Sequence, residues 1–264
     1  MIRLFTTFYH ENDSTRNDEY LNCIMKNIVC KGIDEIYVIN ESGDLSEFRT
    51  KKLIRNEIDQ RPTYNDFFEL INQTVADPDI SIIANTDIYF DHNISLLNHL
   101  AFNDRCLALS RWDIKSDGKA VLNDRNDSQD VWIFKGRIKK VKADFCIGIP
   151  RCDNRIACEL EKAGYRVENP SFSIKSYHFH TGERKEYAVE NLLSFIPQPY
   201  KYIWPHNLFN LPKTLWHNLI YPQSKVFYRI DKRKINGWIT IRALRKIIAL
   251  YGKPNTYSKN STNE

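Results

Sequence analysis

Glycine is scarce in this sequence, nine residues in 264, and none of the nine builds a phosphate-cradling pattern. There is no GxxxxGK[S/T], no GxGxxG after the first apolar run and no HExxH, which sets aside P-loop nucleotide chemistry, dinucleotide binding and zincin-type hydrolysis. No apolar run approaches the roughly 18 residues that a membrane span requires. The opening "MIRLFTTFYHEND" turns polar too soon for a secretory signal, so a cytoplasmic location is expected. The six cysteines, Cys23, Cys30, Cys106, Cys146, Cys152 and Cys158, contain no CxxC pair. Several fall at apolar positions of periodic segments, which predicts reduced thiols and no zinc centre.

What is present is globular in kind: 42% hydrophobic, 12% aromatic and 27% charged residues. The length suits one large domain, or one domain with an extension. The net charge of +5 is unevenly placed: residues 201–264 carry 12 Lys and Arg against 2 Asp and Glu, whereas the first 200 carry 26 against 31. The positive balance therefore belongs to the tail.

Along the chain, "IRLFTTFY" predicts a strand and "RNDEYLNCIMKNIVCKG" a helix, with Gly32 placed to end it. "IDEIYVINES" predicts a second strand, "YNDFFELINQTV" a second helix and "ISIIANTDIYF" a third strand. That alternation is the signature of a parallel sheet with crossover helices, an α/β fold whose ligands sit beyond the carboxyl ends of the strands. A short helix at "NISLLNHLAF", a strand "CLALSRW", a long polar loop over 113–130 and a strand "VWIFKG" follow. In "PRCDNRIACELEKAGYRV", Ile156, Ala157, Leu160 and Ala163 share a helical face and Gly164 ends it. "SFSIKSYHFH" alternates like a strand, which would place His178 and His180 on one face. These features predict a main α/β domain over 1–195 and an aromatic, basic helical extension over 196–264.

Asp87 falls where the third strand ends, and a buried carboxylate there needs a positive partner, such as a divalent cation carrying a diphosphate. The alternative is a strand-ending turn in which Asn85 and Asp87 bond their own backbone. Asp153 opens a helix, either as its cap or as a general base. His178 and His180 are metal-binding imidazoles or exposed edge-strand residues. Asp130 is a turn residue or a polar group at a site, and Arg111 either offers a fork to a diphosphate or is a surface arginine.

The order of these signals, "NTD" after the third strand, then "CDNRIACELEKAGYRV", then "YHFH", resembles the GT-A fold glycosyltransferases, in particular those of glycosyltransferase family 2 type, over roughly residues 1–185. The first acid of the DxD-type element is Asn85 here, and the usual "ED" pair reads "CD". The resemblance implies a mixed, mostly parallel sheet flanked by helices. It implies a Mn2+ or Mg2+ ion held by Asp87, with Asn85, His178 and His180 around it, and Asp153 as the base of an inverting transfer. It further implies a nucleotide-sugar donor, UDP-sugars favoured, contacted by Thr6, Tyr9, Glu41, Arg111 and Asp130, and a glycan or lipid-linked acceptor.

A sugar nucleotidyltransferase shares the metal carboxylate, but it carries a Gly-rich basic loop after the first strand, where "TTFYHENDSTRND" stands here. The tail offers a third reading. In residues 226–264, Trp238, Ile241, Leu244, Ile247 and Ile248 form an apolar stripe interleaved with Arg242, Arg245 and Lys246. That pattern suits an anionic membrane surface, peripheral to the inner face of the cell membrane, better than nucleic acid, and no nucleic acid is expected. A helix packed on the main domain is the plainer alternative.

Overall fold

The computed structural model describes residues 1–179 and 195–208. The chain starts with β1 (Ile2–Phe8), in which every residue except Arg3 is buried. α1 (Ser14–Val29) is opened by Asp13, whose side chain accepts from the Thr15 and Arg16 amides. β2 (Glu35–Asn40), β3 (Leu53–Glu57), α2 (Tyr64–Thr74) and β4 (Ile80–Ala84) follow. α2 begins with a reciprocal capping box between Thr63 and Asp66. Then come β5 (Ile88–Tyr89), a 3-10 helix (His92–His99), β6 (Arg105–Leu109), β7 (Trp112–Ile114), β8 (Ala120–Leu122), β9 (Val131–Lys135), α3 (Cys152–Lys162), β10 (Arg166–Glu168) and β11 (Tyr177–His178).

The main sheet has the order β10-β6-β9-β4-β1-β2-β3. β1 runs parallel to β2 and β4, β2 to β3 and β10 to β6, while β9 is antiparallel to both neighbours. β4 is buried at all five positions, as a central strand covered on both faces must be. Alternation divides its side chains between two cores. Leu4 and Ile82 face α1 with Ile24, Val38 and Leu109, whereas Phe5 and Ile83 face α2 and α3 with Tyr64, Phe67, Trp132, Ile156 and Leu160. The result is a mixed, mostly parallel α/β sheet flanked by helices on both faces.

A second sheet of order β5-β11-β7-β8 gathers at the carboxyl end of β4. Its strands come from places where sequence periodicity indicated something else. The stretch 80–90 is broken at Asn85–Asp87, so β5 leaves the main sheet. The polar loop contains β8 and most of β7. In "SFSIKSYHFH" only Tyr177–His178 pairs as a strand, because Pro170 closes a turn through the Ser173 and Ile174 amides. Gly32 does not end α1; Cys30 does, in an extended conformation. Gly32 is needed for a close approach, since a Cβ there would lie 2.5 Å from the Ile94 side chain. Residues 195–208 lie along the main body, with Ile203 buried in the α2 and α3 core and its amide bonded to Asn126. His180 and residues 226–264 lie outside the described residues. Among the described residues no helix is long and apolar enough to cross a membrane.

Candidate active site

Beyond Ala84 the chain turns sharply, and the turn is fastened on two sides. The Asn85 amide donates to the Asp130 carbonyl at the entrance to β9 (3.1 Å), and the Ile88 amide closes back onto Asn85 (3.1 Å). The Thr86 hydroxyl donates to the Thr7 carbonyl at the end of β1 (2.9 Å). The Thr7 hydroxyl therefore donates to Thr86 Oγ1, 2.8 Å away. Side chains at the two ends of "NTD" reach outward and not to their own backbone. Asn85 Nδ2 donates to Asp130 Oδ1 (3.1 Å), and Asp87 Oδ2 accepts from Arg16 Nη2 and His178 Nε2 (3.1 Å each).

From Asp87 a chain of charge runs through the second sheet. His178 Nδ1 lies 3.1 Å from Asp113 Oδ1, so both ring nitrogens face carboxylates and the ring is an imidazolium. Arg111 donates from Nε to Asp113 (2.8 Å) and from Nη1 to Asp130 (3.1 Å). Three carboxylates thus meet three cations, with little water: side-chain exposure is 14% for Asp87, 7% for Asp130 and 7% for His178. Burial alone would lower the His178 pKa, but its bonds to Asp113 and Asp87 outweigh it and lift the ring to about 9. Burial opposes ionisation of Asp87 as well; His178, Arg16 and Arg111 overcome it and hold the carboxyl well below the usual carboxylate range. Asp113 follows the same pattern through His178 and Arg111. Asp87 Oδ1 and Asp130 Oδ2 are buried without a hydrogen-bond partner among the described residues.

Asp153 lies in the first turn of α3 and is not its cap. Arg151 holds that position in a left-handed conformation, and among the described residues no side chain caps the helix. Burial, then the neighbouring Asp130 and Asp127 charges, push the Asp153 carboxyl up to about 8, although Cys152 Sγ and the Gln129 amide donate to it. Asp130 therefore connects the two halves of the site: it accepts from Asn85 and Arg111 and its charge acts on Asp153.

The loops after β1 and β2 are less engaged. Thr6 is buried inside β1, its hydroxyl 3.5 Å from the Thr7 carbonyl. Tyr9 shares a 2.7 Å hydroxyl contact with Tyr20, and burial raises the Glu41 pKa against the pull of Arg61. Sequence reasoning missed Thr7, Arg16 and Asp113. Arg16 sits in the first turn of α1, bonded to buried Glu19 (2.7 Å) as well as to Asp87. Among the described residues no three His, Cys, Asp or Glu side chains group as a metal cage.

No family model matches this chain, and no curated protein does. Among solved structures it is similar to residues 1–349 of TarS from S. aureus in complex with UDP-GlcNAc, at 13% identity and a TM-score of 0.45 over 69% of this chain and 59% of that one. It is similar to GalNAc-T7 with UDP, GalNAc and Mn2+, at 10% identity and a TM-score of 0.44 over 68% of this chain and 44% of that one. A 4-diphosphocytidyl-2C-methyl-D-erythritol synthase from Anaerococcus prevotii aligns at 12% identity and a TM-score of 0.35, over 51% of this chain and 69% of that one. The chain spans less than two thirds of the TarS chain and less than half of the GalNAc-T7 chain it matches.

Proposed function

We propose that this chain is a GT-A-type glycosyltransferase that passes a sugar from a nucleotide-sugar, with UDP-sugars favoured, to a hydroxyl of a glycan or lipid-linked acceptor. The observation that carries this reading is Asp87. It stands beyond the carboxyl end of a parallel strand, where ligands of such sheets sit, and its Oδ1 is buried with no partner among the described residues. A buried acceptor left unpaired costs about 1–3 kcal/mol, which an occupied site would recover.

The donor set fits a Mg2+ or Mn2+ ion that arrives with a diphosphate better than one held in a preformed cage. Asp87 Oδ1 and Asp130 Oδ2 are hard, unpartnered oxygen atoms, and such ions are held by one or two carboxylates plus substrate phosphates. Asp87 is the proposed ligand, with Asn85 and His180 as further proposed ligands; His178, protonated at both ring nitrogens, has no lone pair for a metal and holds the Asp87 carboxylate instead. When bound, such an ion would supply positive charge to the leaving diphosphate.

The chain's own residues supply the rest of this mechanism. Arg111, braced by Asp113 and Asp130, fixes the positions of both carboxylates and offers positive charge to the diphosphate. Tyr9 and Glu41 follow the carboxyl ends of β1 and β2 as proposed nucleoside contacts, with Thr6, buried two residues inside β1, as a third. Asp153 takes the proton of the acceptor hydroxyl as its oxygen attacks the anomeric carbon opposite the diphosphate, a single displacement with inversion. A carboxylate with a pKa of about 8 is a far stronger base than an exposed one.

Calorimetric titration with UDP-sugars, with and without Mn2+, on the wild-type chain and on Asp87→Ala tests the reading. Metal-dependent binding that weakens about 100-fold or more in Asp87→Ala is the expected result. No nucleotide binding by the wild-type chain would sink the enzyme reading and turn attention to residues 226–264 and anionic membranes.

A further inference from the structure

At the far end of the main sheet from Asp87 lies a cavity of about 280 Å³. β9 is antiparallel to β4, so Lys135 at the end of β9 pairs with Ile80 at the start of β4, and the cavity opens beside it. Phe102, Arg105, Lys135, Arg137, Lys139 and Tyr165 line it. The charge balance assigns the positive excess to residues 201–264, yet the short run "KGRIKKVK", residues 135–142, carries five cations and no acid.

The backbone of this run is pinned at successive residues. The Gly136 amide donates to the Asp79 carbonyl (2.8 Å). Asn72 clamps Ile138 on both sides, accepting from its amide (2.7 Å) and donating to its carbonyl (3.0 Å). The Lys139 amide donates to the Tyr165 hydroxyl (2.9 Å). Gly136 has a φ of +70°, a backbone conformation that L side chains rarely adopt, and a Cβ there would displace the Asp77 carboxylate, 1.8 Å away. Burial alternates accordingly: Gly136 and Ile138 are inside, while Lys135, Arg137 and Lys139 are exposed. The opposite wall is a tight turn in which Asn103 and Asp104 are both left-handed, closed by the Arg105 amide on Phe102.

Two of the four cations are compensated. Lys139 pairs with Asp104 (2.7 Å), and Arg105 is held by Glu168 (3.1 Å from Nε). Lys135 and Arg137 have no partner among the described residues. Two uncompensated cations on a fixed backbone, one a planar fork and one a point charge, match the oxygens of a multiply charged anion.

We propose that this cavity is a binding site for a phosphate group, carried by a membrane lipid headgroup or by a soluble phosphorylated molecule, with Lys135 and Arg137 as its contacts. Lys139 adds a third contact when it leaves Asp104. Nothing at this site depends on chemistry at Asp87.

The test uses the full chain, the double variant Lys135→Gln/Arg137→Gln and the control Lys140→Gln/Lys142→Gln, which removes the same charge outside the cavity. Each is titrated with inorganic phosphate and with phosphatidylcholine vesicles lacking or containing phosphatidylglycerol, after thermal unfolding shows that all three are folded. A headgroup site predicts binding that needs phosphatidylglycerol, weakened roughly 30-fold in the cavity variant and within about twofold of wild type in the control. A site for a soluble ligand predicts saturable phosphate binding that only the cavity variant loses. Absence of binding to both probes, or equal losses in the two variants, would overturn the proposal.

Discussion

His178 Nε2 lies 3.1 Å from Asp87 Oδ2, and the same ring reaches Asp113 Oδ1 through Nδ1 at 3.1 Å. One imidazolium thus ties the turn after β4 to the second sheet. Its pKa rises from an ordinary 6.5 to about 9 on folding, worth on the order of 3 kcal/mol. A raised pKa stabilises below the unfolded value, so this contribution is complete below pH 6.5 and is lost as pH climbs through about 9. Asp87 and Asp113, with depressed pKa values, contribute above the usual carboxylate range and lose that contribution as pH falls. Urea midpoints of the wild-type chain should therefore decline between pH 6.5 and 9, and His178→Gln should flatten that decline. An unchanged slope in the variant would mean that the alkaline loss arises elsewhere.

Among the described residues, Arg111 is the one side chain that bonds both Asp113 and Asp130. Lysine carries the charge but not the fork, so Arg111→Lys keeps one of the two bonds and leaves either Asp113 with His178 or Asp130 with Asn85 as its remaining donor. A loss of about 2 kcal/mol in unfolding free energy, that of one hydrogen bond to a charged group, is expected. A loss below about 0.5 kcal/mol, the ordinary range for surface substitutions, would show that water or a shifted lysine replaces the fork.

The Thr7 and Thr86 hydroxyls form a closed pair at the ends of β1 and β4. Thr86→Val keeps the branched shape and strands the Thr7 hydroxyl and carbonyl, costing about 1–3 kcal/mol, whereas Thr7→Val loses one hydrogen bond, about 1 kcal/mol, and leaves Thr86 bonded to the Thr7 carbonyl. The double variant removes both hydroxyls and leaves only the Thr7 carbonyl unpaired. Its cost should fall at least about 0.5 kcal/mol short of the sum of the single costs in a urea-denaturation cycle. Strict additivity would mean that the two hydroxyls act separately.

Much of this fold is legible in the sequence because long elements carry their own period. β1 and β4 are near-continuous apolar runs, α2 has its capping box, and Ile156, Ala157 and Leu160 mark the buried face of α3. β3, "LIRNE", has neither alternation nor an apolar run and forms because β2 offers a parallel edge. β7 and β8 are three residues each, too short for periodicity. Within the site, Asp87 is conspicuous as an acid at a strand end. Arg16 and Asp113 are not, because their surroundings come from tertiary contact: Arg16 meets Asp87 across 71 residues and Asp113 meets His178 across 65. No local pattern encodes such a meeting. Asp153 was visible only as a residue type at a helix start, and its raised pKa depends on Asp130, which arrives from β9.

That dependence makes Asp153 separable from a structural acid. Its carboxyl is pushed up to about 8 by burial and by the Asp130 charge, so Asp153 begins to cost stability above the unfolded value near 4, where the unfolded chain ionises and the fold keeps the proton, and the cost is complete above about 8. A general base must nevertheless be ionised, and kcat/KM for transfer should rise with pH and level off above about 8. Asp130→Asn removes a like charge and should move that rise to lower pH. Asp153→Asn should cut kcat by about 100-fold to 10,000-fold, the range for loss of a positioned base, while leaving donor affinity intact. The same substitution should raise the melting temperature at pH 8, since it deletes a charge that the fold pays to keep. Reduced transfer together with reduced stability would instead mark Asp153 as a structural residue of α3, and the proton would have to go elsewhere.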